Sequence, residues 1–159
     1  MKMAKGRLDT LYVAVQFFLF GLFLLPITWP LPQLLPRWFG LAAAGVGLLV
    51  CLVAILQLRK NLQAWPSPKE GGVLISHGLF AWVRHPIYSG LFLAFAGWAL
   101  FTGSLYKLLV ACLLLGWFFL KSRYEERLLL AKFPEYRNYR AKTGRFFPPL
   151  RLFTFRPTR

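Results

Sequence analysis

Two short polar stretches interrupt a mostly apolar sequence, and the first contains Arg84, His85, Pro86 and Tyr88. Pro86 biases the preceding His85 away from helical dihedral angles and suits the first position of a helix. We therefore expect a helix to begin at Pro86, with His85 as its N-cap. Free backbone N–H groups and the positive end of the helix dipole would suit a carboxylate or phosphate there. The structural alternative is a basic interfacial anchor with Tyr88 in the aromatic belt.

The second stretch, residues 121–139, contains three of the five acidic residues of the chain, and Glu125 and Glu126 are adjacent. Neighbours on a helix diverge by about 100°, so the two carboxylates cannot both address one atom. We expect one to face inward and the other to be solvated. The alternative interpretation is that Lys121–Glu125 and Arg123–Glu126 are ordinary surface ion pairs, each worth a few tenths of a kcal/mol.

The elements that position these stretches are membrane helices. The 159 residues are 57% apolar and only 16% charged, against about 25% charged in a typical soluble domain. Apolar segments cover residues 8–27, 38–58, 87–102 and 105–120. The first two match a bilayer core about 30 Å thick, and the shorter last two predict a hairpin about Gly103 and Ser104.

The predicted fold is thus an all-α integral membrane protein with four transmembrane helices, forming a single membrane domain over residues 1–159. Residues 1–58 form two spanning helices, 59–86 a loop, 87–120 the hairpin and 121–159 a tail. Pro134 restarts a helix in this tail and Gly144 ends it, which predicts a C-terminal amphipathic helix.

The charge distribution predicts the orientation in the membrane. The chain has 20 Lys and Arg against 5 Asp and Glu, a formal charge of +15, and only Arg37 and Lys107 lie in the two turns opposite the others. The positive-inside rule then places both termini and the middle loop in the cytoplasm, at the plasma or, in a prokaryote, the inner membrane. Basic groups beside a bilayer meet anionic headgroups. We therefore expect the lipid bilayer, and no nucleic acid, as the partner.

Small residues within the second helix predict close helix packing. A strip at helical spacing is formed by Gly40, Ala43, Ala44 and Gly47. Such strips let a second backbone approach closely. Cys51 and Cys112 each lie inside an apolar segment without Cys-x-x-Cys or metal-ligand spacing, so we expect two small buried apolar side chains and no metal site.

The order of motifs in the C-terminal half is more specific than any one of them. The sequence carries Leu74-Ile75-Ser76-His77-Gly78-Leu79-Phe80, then Val83-Arg84-His85-Pro86-Ile87-Tyr88-Ser89-Gly90, then Glu125-Glu126, Phe133 and Tyr136-x-x-Tyr139. This order resembles the isoprenylcysteine carboxyl methyltransferase and phospholipid methyltransferase family of integral membrane enzymes. The resemblance covers about half the chain, from near Gly71 to Pro148.

The resemblance implies a methyltransferase that uses S-adenosylmethionine and a lipophilic acceptor. It implies that His85 and Tyr88 hold this cofactor and that Glu125 reaches it from the other side of the pocket. His85 and Glu125 are also the candidate catalytic groups, as proton acceptors for an amine or thiol; a carboxylate acceptor needs no base. The further cofactor-binding residues that the resemblance implies are Val73, Leu74, Ile75, Phe80, Arg84 and Glu126.

Two positions depart from the family pattern. Phe80 stands where relatives carry Tyr, which removes a hydrogen bond but keeps a ring for stacking. Lys121 is at the position where relatives carry an Arg assigned to the substrate, and Lys cannot make the same bidentate contact. The acceptor is therefore open among a carboxylate, an amine and a thiol. Methyl transfer from a sulfonium needs alignment and exclusion of water but no metal.

Two other functions remain open at this point. A membrane sterol reductase would bind a nicotinamide dinucleotide in a similar C-terminal region and would need further polar groups for the second nucleotide. A non-catalytic membrane subunit would bind lipids or a partner and would tolerate loss of His85.

Overall fold

The computed structural model describes residues 6–32 and 34–149 of the chain. Its helices are α1 (Arg7–Leu24), α2 (Arg37–Leu58), α3 (Pro86–Thr102), α4 (Leu105–Lys132) and α5 (Tyr136–Lys142). Two short 3₁₀ turns lie at Arg59–Asn61 and Gly78–Ala81. Within the described ranges there is no β-strand, which agrees with the expected all-α class.

Three of these helices, α1, α2 and α4, are long and apolar enough to cross a membrane. The fourth apolar helix, α3, is shorter, with 17 residues. α1 ends at Leu24, earlier than expected, because Leu25 precedes Pro26 and has extended dihedral angles (φ −62°, ψ 138°). These helices support an integral membrane protein of all-α class.

The hairpin of α3 and α4 turns where the sequence predicted. Gly103 adopts the left-handed conformation at the end of α3 (φ 63°), and the Ser104 side chain accepts a hydrogen bond from the N–H of Lys107 at the start of α4. The expected length of the second arm is wrong, because α4 continues beyond residue 120 to Lys132. Residues 121–132 contain neither Gly nor Pro, so nothing breaks the helix. The acidic pair therefore lies on the same continuous helix as the apolar segment.

The strip of small residues brings α2 and α3 into backbone contact, as expected. A methyl group at Gly47 would come within 2.4 Å of the Ala94 nitrogen and 2.5 Å of the Gly90 carbonyl oxygen. Cys51 is buried along the same seam, and its thiol donates to the Ile87 carbonyl at 3.4 Å. The expectation for Cys112 was wrong: this residue is exposed on an outward-facing side of α4.

Backbone pairing beside α3 fixes the segment that follows α5. The N–H groups of Arg84 and His85 donate to the carbonyls of Gly144 (2.8 Å) and Arg145 (3.0 Å). Ser89 donates through its hydroxyl to the Phe146 carbonyl at 2.7 Å. The chain after Gly144 therefore crosses the start of α3 and brings α5 against the motif that contains His85.

Candidate active site

The start of α3 presents His85 as expected. His85 is the N-cap residue and Pro86 occupies the first turn. The His85 carbonyl accepts hydrogen bonds from the N–H groups of Tyr88 (3.1 Å) and Ser89 (3.2 Å). Since Pro86 has no N–H, this helix start offers fewer free donors to an anion than the sequence suggested.

Glu126 lies at the centre of a buried ion network. Its side chain is 2% exposed and faces Arg84 Nε at 2.9 Å and His85 Nε2 at 3.2 Å. Arg145 and the half-exposed Arg140 approach its other oxygen at 3.2 and 3.4 Å. Arg84 also donates to the carbonyls at the end of α5. This carboxylate therefore joins α4, the start of α3 and the C-terminal segment.

This arrangement corrects two expectations about the acidic pair. Neither carboxylate is solvated, since the side chains of Glu125 and Glu126 are 14% and 2% exposed. The interpretation as surface ion pairs at short sequence spacing is also wrong, because the partners of Glu126 come from positions 84, 85, 140 and 145. Arg123 instead lies over the Phe119 ring, 5.9 Å from its centroid.

Glu125 faces the opposite side of the His85 ring. Its Oε2 is 3.5 Å from His85 Nδ1, and its Oε1 accepts a 2.5 Å hydrogen bond from the Tyr88 hydroxyl. The imidazole is thus held between the two adjacent carboxylates, one at each ring nitrogen. Because the carboxylates project in different directions from α4, they act on one ring without addressing one atom.

Lys121 lies one helical turn before Glu125 and is only 1% exposed. Its ammonium donates to Gln16 Oε1 at 2.6 Å and to the Ala64 carbonyl at 3.0 Å. It also lies 5.4 Å from the centroid of the Tyr88 ring. Sequence reasoning missed Gln16, although a Gln inside an apolar helix is a signal for a buried polar function.

Aromatic rings stack beneath these polar groups. The rings of His85 and Tyr88 are nearly parallel at 5.5 Å between centroids, and Phe118 stacks on Tyr88 at 4.5 Å. Tyr139 donates to the Phe80 carbonyl at 2.6 Å. Burial raises the pKa of Tyr139 to about 12, and it raises that of Tyr136 still further. Both phenols therefore remain protonated near neutral pH.

A cavity of about 610 Å³ opens at this point, within the range of about 300–1,000 Å³ typical of ligand pockets. Nine of the ten site residues suggested by the sequence line it: Val73, Leu74, Ile75, Phe80, Arg84, His85, Tyr88, Lys121 and Glu125. The tenth, Glu126, lies behind the wall and contacts His85. Apolar side chains of α2, α3 and α4 cover another side, among them Ile55, Leu58, Leu91 and Leu129.

Several further residues line the cavity that the sequence analysis does not assign to cofactor or substrate. They include Gln16, Asn61, Trp65, Tyr136 and Tyr139. The two tyrosines belong to the spaced Tyr pair of the motif, whereas no sequence pattern marks Asn61 or Trp65. Among residues 6–32 and 34–149, no group of three or more His, Cys, Asp or Glu side chains could hold a metal ion.

The fold and this cavity define an all-helical integral membrane protein whose pocket combines a few polar side chains with the apolar side chains of its helices. Residues 35–136 match the model of the phospholipid methyltransferase family. The chain belongs to this family, which comprises membrane methyltransferases that use S-adenosylmethionine as methyl donor.

Curated relatives are bacterial and eukaryotic. The chain is 31% identical over 128 residues to the cobalt-zinc-cadmium resistance protein CzcN of Cupriavidus metallidurans, covering 79% of this chain and 54% of that protein. It is also 31% identical over 120 residues to protein-S-isoprenylcysteine O-methyltransferase of Tribolium castaneum, covering 66% of this chain and 41% of that protein. The chain thus spans about half the length of the curated relatives it matches.

A solved structure has the same fold. The eukaryotic intramembrane Ras methyltransferase ICMT, isoprenylcysteine carboxyl methyltransferase, superposes with a TM-score of 0.62 at 26% identity, covering 93% of this chain and 53% of that one. The superposed part of the chain includes α1 and α2. In the sequence, these two helices are compatible with the family only through their hydrophobicity.

Proposed function

We propose that the protein is an S-adenosylmethionine-dependent methyltransferase that modifies a lipophilic acceptor at the membrane boundary. The observation that carries the proposal is the cavity of about 610 Å³, which combines Tyr88, Glu125 and Lys121 with apolar side chains of α2 and α3 in a chain of this family. When bound, S-adenosylmethionine supplies an activated methyl group. The chain itself then needs to bind, align and exclude water.

The residues present fit such a ligand. Glu125 is a carboxylate at the cavity wall and can accept hydrogen bonds from an ammonium or from ribose hydroxyls. Tyr88 and Phe80 add aromatic rings to the lining, and such rings attract a cationic sulfonium. One wall of the cavity has no charged side chain and is formed by Val73, Leu74 and Ile75. We assign Arg84, His85 and Tyr88 to the same binding surface.

His85 and Glu125 are also the groups we propose for proton handling. A carboxylate acceptor loses no proton, so for it the pair would only orient the reactants. An amine or thiol acceptor must lose one, and the 3.5 Å separation of His85 Nδ1 from Glu125 Oε2 lets this imidazole and carboxylate share a single transferred proton. Glu126, which contacts Nε2, acts as a positioning residue for the ring.

The apolar side of the cavity supports a lipophilic acceptor. Ile55 and Leu58 of α2 and Leu91 of α3 line the side that the spanning helices provide. An acceptor held by its lipid part would place its reactive group toward Lys121, which we assign to the substrate. We further propose that all four apolar helices cross the membrane. The distribution of basic residues favours an orientation with both termini and the cavity in the cytoplasm.

Isothermal titration of the detergent-purified protein with S-adenosylhomocysteine, run beside NADPH, tests the proposal. Saturable binding of the first compound, lost in His85→Ala, is the expected result. The control is Glu135→Ala, because Glu135 is exposed and does not line the cavity. Binding of NADPH alone would replace the proposal with a reductase, and binding of neither compound by a folded protein would contradict any such enzyme.

A further inference from the structure

A second groove, of about 630 Å³, adjoins the active-site cavity. Leu58, Asn61, Val73 and Ile75 line both spaces, so the two share part of their walls. The groove is bounded by the end of α2 and by Arg59, Asn61 and His77. No role in the proposed methyl transfer requires it.

Two polar side chains in this groove are available to a ligand. Arg59 and His77 are both exposed, and within the part of the chain that the structure describes neither side chain makes a hydrogen bond or an ion pair. The other two polar side chains are engaged: Asn61 donates to the Val73 carbonyl and Gln57 accepts from the Leu79 N–H, each at 3.0 Å. The nine lining residues include no carboxylate. The free groups therefore favour an anion.

The backbone at Arg59 is held in an unusual conformation. Arg59 has φ 45° and ψ −116°, and it is the one residue other than Gly with positive φ among those described. Such a conformation costs about 1–3 kcal/mol in a residue with a Cβ and persists only where the surroundings impose it. A glycine would adopt it more easily. The position nevertheless carries a guanidinium at the rim of the groove.

The remaining walls are apolar and continue onto the outer face of α2. Val53, Leu56 and Leu58 line the groove, and the neighbouring Leu52 is 54% exposed. The 22 residues of α2 match a bilayer core about 30 Å thick, so the residues after its end reach headgroup depth. A ligand with an anionic head and an apolar tail would match both parts of the groove at once. The apolar walls and the headgroup depth thus favour a membrane lipid over a soluble anion.

From this geometry we infer that the groove beside Arg59 and His77 is a binding site for an anionic phospholipid. The phosphate would accept hydrogen bonds from the Arg59 guanidinium and a His77 ring N–H. One acyl chain would lie along Val53 and Leu56. The lipid would thereby contact Val73 and Ile75, which also line the active-site cavity.

Native mass spectrometry of the detergent-purified protein, titrated with phosphatidylglycerol or with phosphatidylcholine of the same acyl chains, tests the inference. We expect one phosphatidylglycerol to bind preferentially. Because contact with an anionic headgroup is worth about 1 kcal/mol per basic residue, Arg59→Gln should weaken this binding about fivefold. Arg59→Gly is the second variant, since glycine accepts the backbone conformation and a loss of binding cannot then be attributed to misfolding.

The matched control is Arg127→Gln, which removes another exposed arginine of the membrane-proximal surface, outside both cavities. Equal binding of the two lipids, or equal losses in the Arg59 and Arg127 variants, would overturn the site. Competition by inorganic phosphate as strong as that by phosphatidylglycerol would overturn the lipid and leave an anion site only. The readout is independent of methyl transfer, so it stands apart from the test of the proposed function.

Discussion

The hydroxyl of Tyr88 donates to Glu125 at 2.5 Å, which joins the first turn of α3 to α4 across 37 residues of sequence. Both residues line the active-site cavity. A bond to an ionised acceptor is worth about 1.5–3 kcal/mol, more than a bond between neutral groups. This contact therefore fixes the two elements from which we propose the cofactor is held.

We expect Tyr88→Phe and Glu125→Gln each to weaken the binding of S-adenosylhomocysteine about tenfold or more. Tyr88→Phe keeps the ring that stacks on Phe118 but removes the bond that orients the carboxylate. Isothermal titration of the folded variants measures the loss. Glu135→Gln is the control, because Glu135 is exposed and lies outside the cavity. A control variant as weak as Glu125→Gln would contradict our assignment of the acidic pair.

We expect removal of the Glu126 carboxylate to lower the stability of the folded protein. Three groups of the network, Arg84, His85 and Arg145, lie within 3.2 Å of its carboxylate, which is almost fully buried. Breaking a buried pair by removing one partner costs about 3–5 kcal/mol, because an unpaired charge remains. We expect Glu126→Ala to lower the thermal midpoint in detergent by several degrees.

Glu135 also provides the control for the thermal midpoint of the Glu126 variant. Glu135→Ala should leave the midpoint unchanged, since a surface substitution of this kind changes stability by about 0.5 kcal/mol or less. If Glu126→Ala melts like the unaltered protein, the network contributes no net stability. The ring of His85 would then be positioned by Glu125 and by its backbone bonds alone.

Local rules predicted the parts of the fold that depend on local chemistry. Pro86 predicted where α3 begins, and Gly103 with Ser104 predicted the turn of the hairpin. Apolar patterning predicted membrane helices. The sequence predicts the end of α4 at residue 120, where hydrophobicity falls, but the polar residues that follow are compatible with a helix and α4 continues to Lys132.

The arrangement of the candidate site depends on contacts between residues far apart in sequence, which residue spacing does not predict. The family resemblance supplied the residues at positions 73–75, 80, 84, 85, 88, 121 and 125, and the cavity brings these together. The partners of Glu126 lie 14 to 42 residues away in sequence. Gln16 belongs to α1, outside the resembling region, and only the packing of α1 against α4 places it on Lys121. Tertiary contacts of this kind determine which charges are buried.

Tyr139 provides a pH dependence with a defined sign. Burial raises its pKa to about 12, above the value of about 10 for an unperturbed phenol. Folding therefore favours the protonated form, and the corresponding stability is complete below pH 10 and is lost as the pH rises through about 12. We expect Tyr139→Phe to reduce this alkaline decline, measured as the thermal midpoint from pH 8 to pH 12. An unchanged profile would show that other groups cause the decline.

The seam between α2 and α3 predicts opposite outcomes for two glycines of the same helix. A Cβ at Gly47 would lie 2.4 Å from the Ala94 nitrogen and 2.5 Å from the Gly90 carbonyl oxygen, so backbone would have to move. A Cβ at Gly45 meets nothing within 4 Å. Gly47→Ala should thus destabilise the protein by about 1–3 kcal/mol, as overpacking does.

Gly45→Ala should be neutral or stabilising by up to about 1 kcal/mol, since alanine is the better helix former. Thermal unfolding of the two variants in the same detergent compares the cost of a steric contact at Gly47 with the gain in helix propensity at Gly45. The two positions are only two residues apart in α2. Because α2 also contributes Ile55 and Leu58 to the cavity, Gly47→Ala should in addition weaken ligand binding in the fraction that remains folded. If both variants melted alike, α2 and α3 would not be in backbone contact, and the cavity wall would need another support.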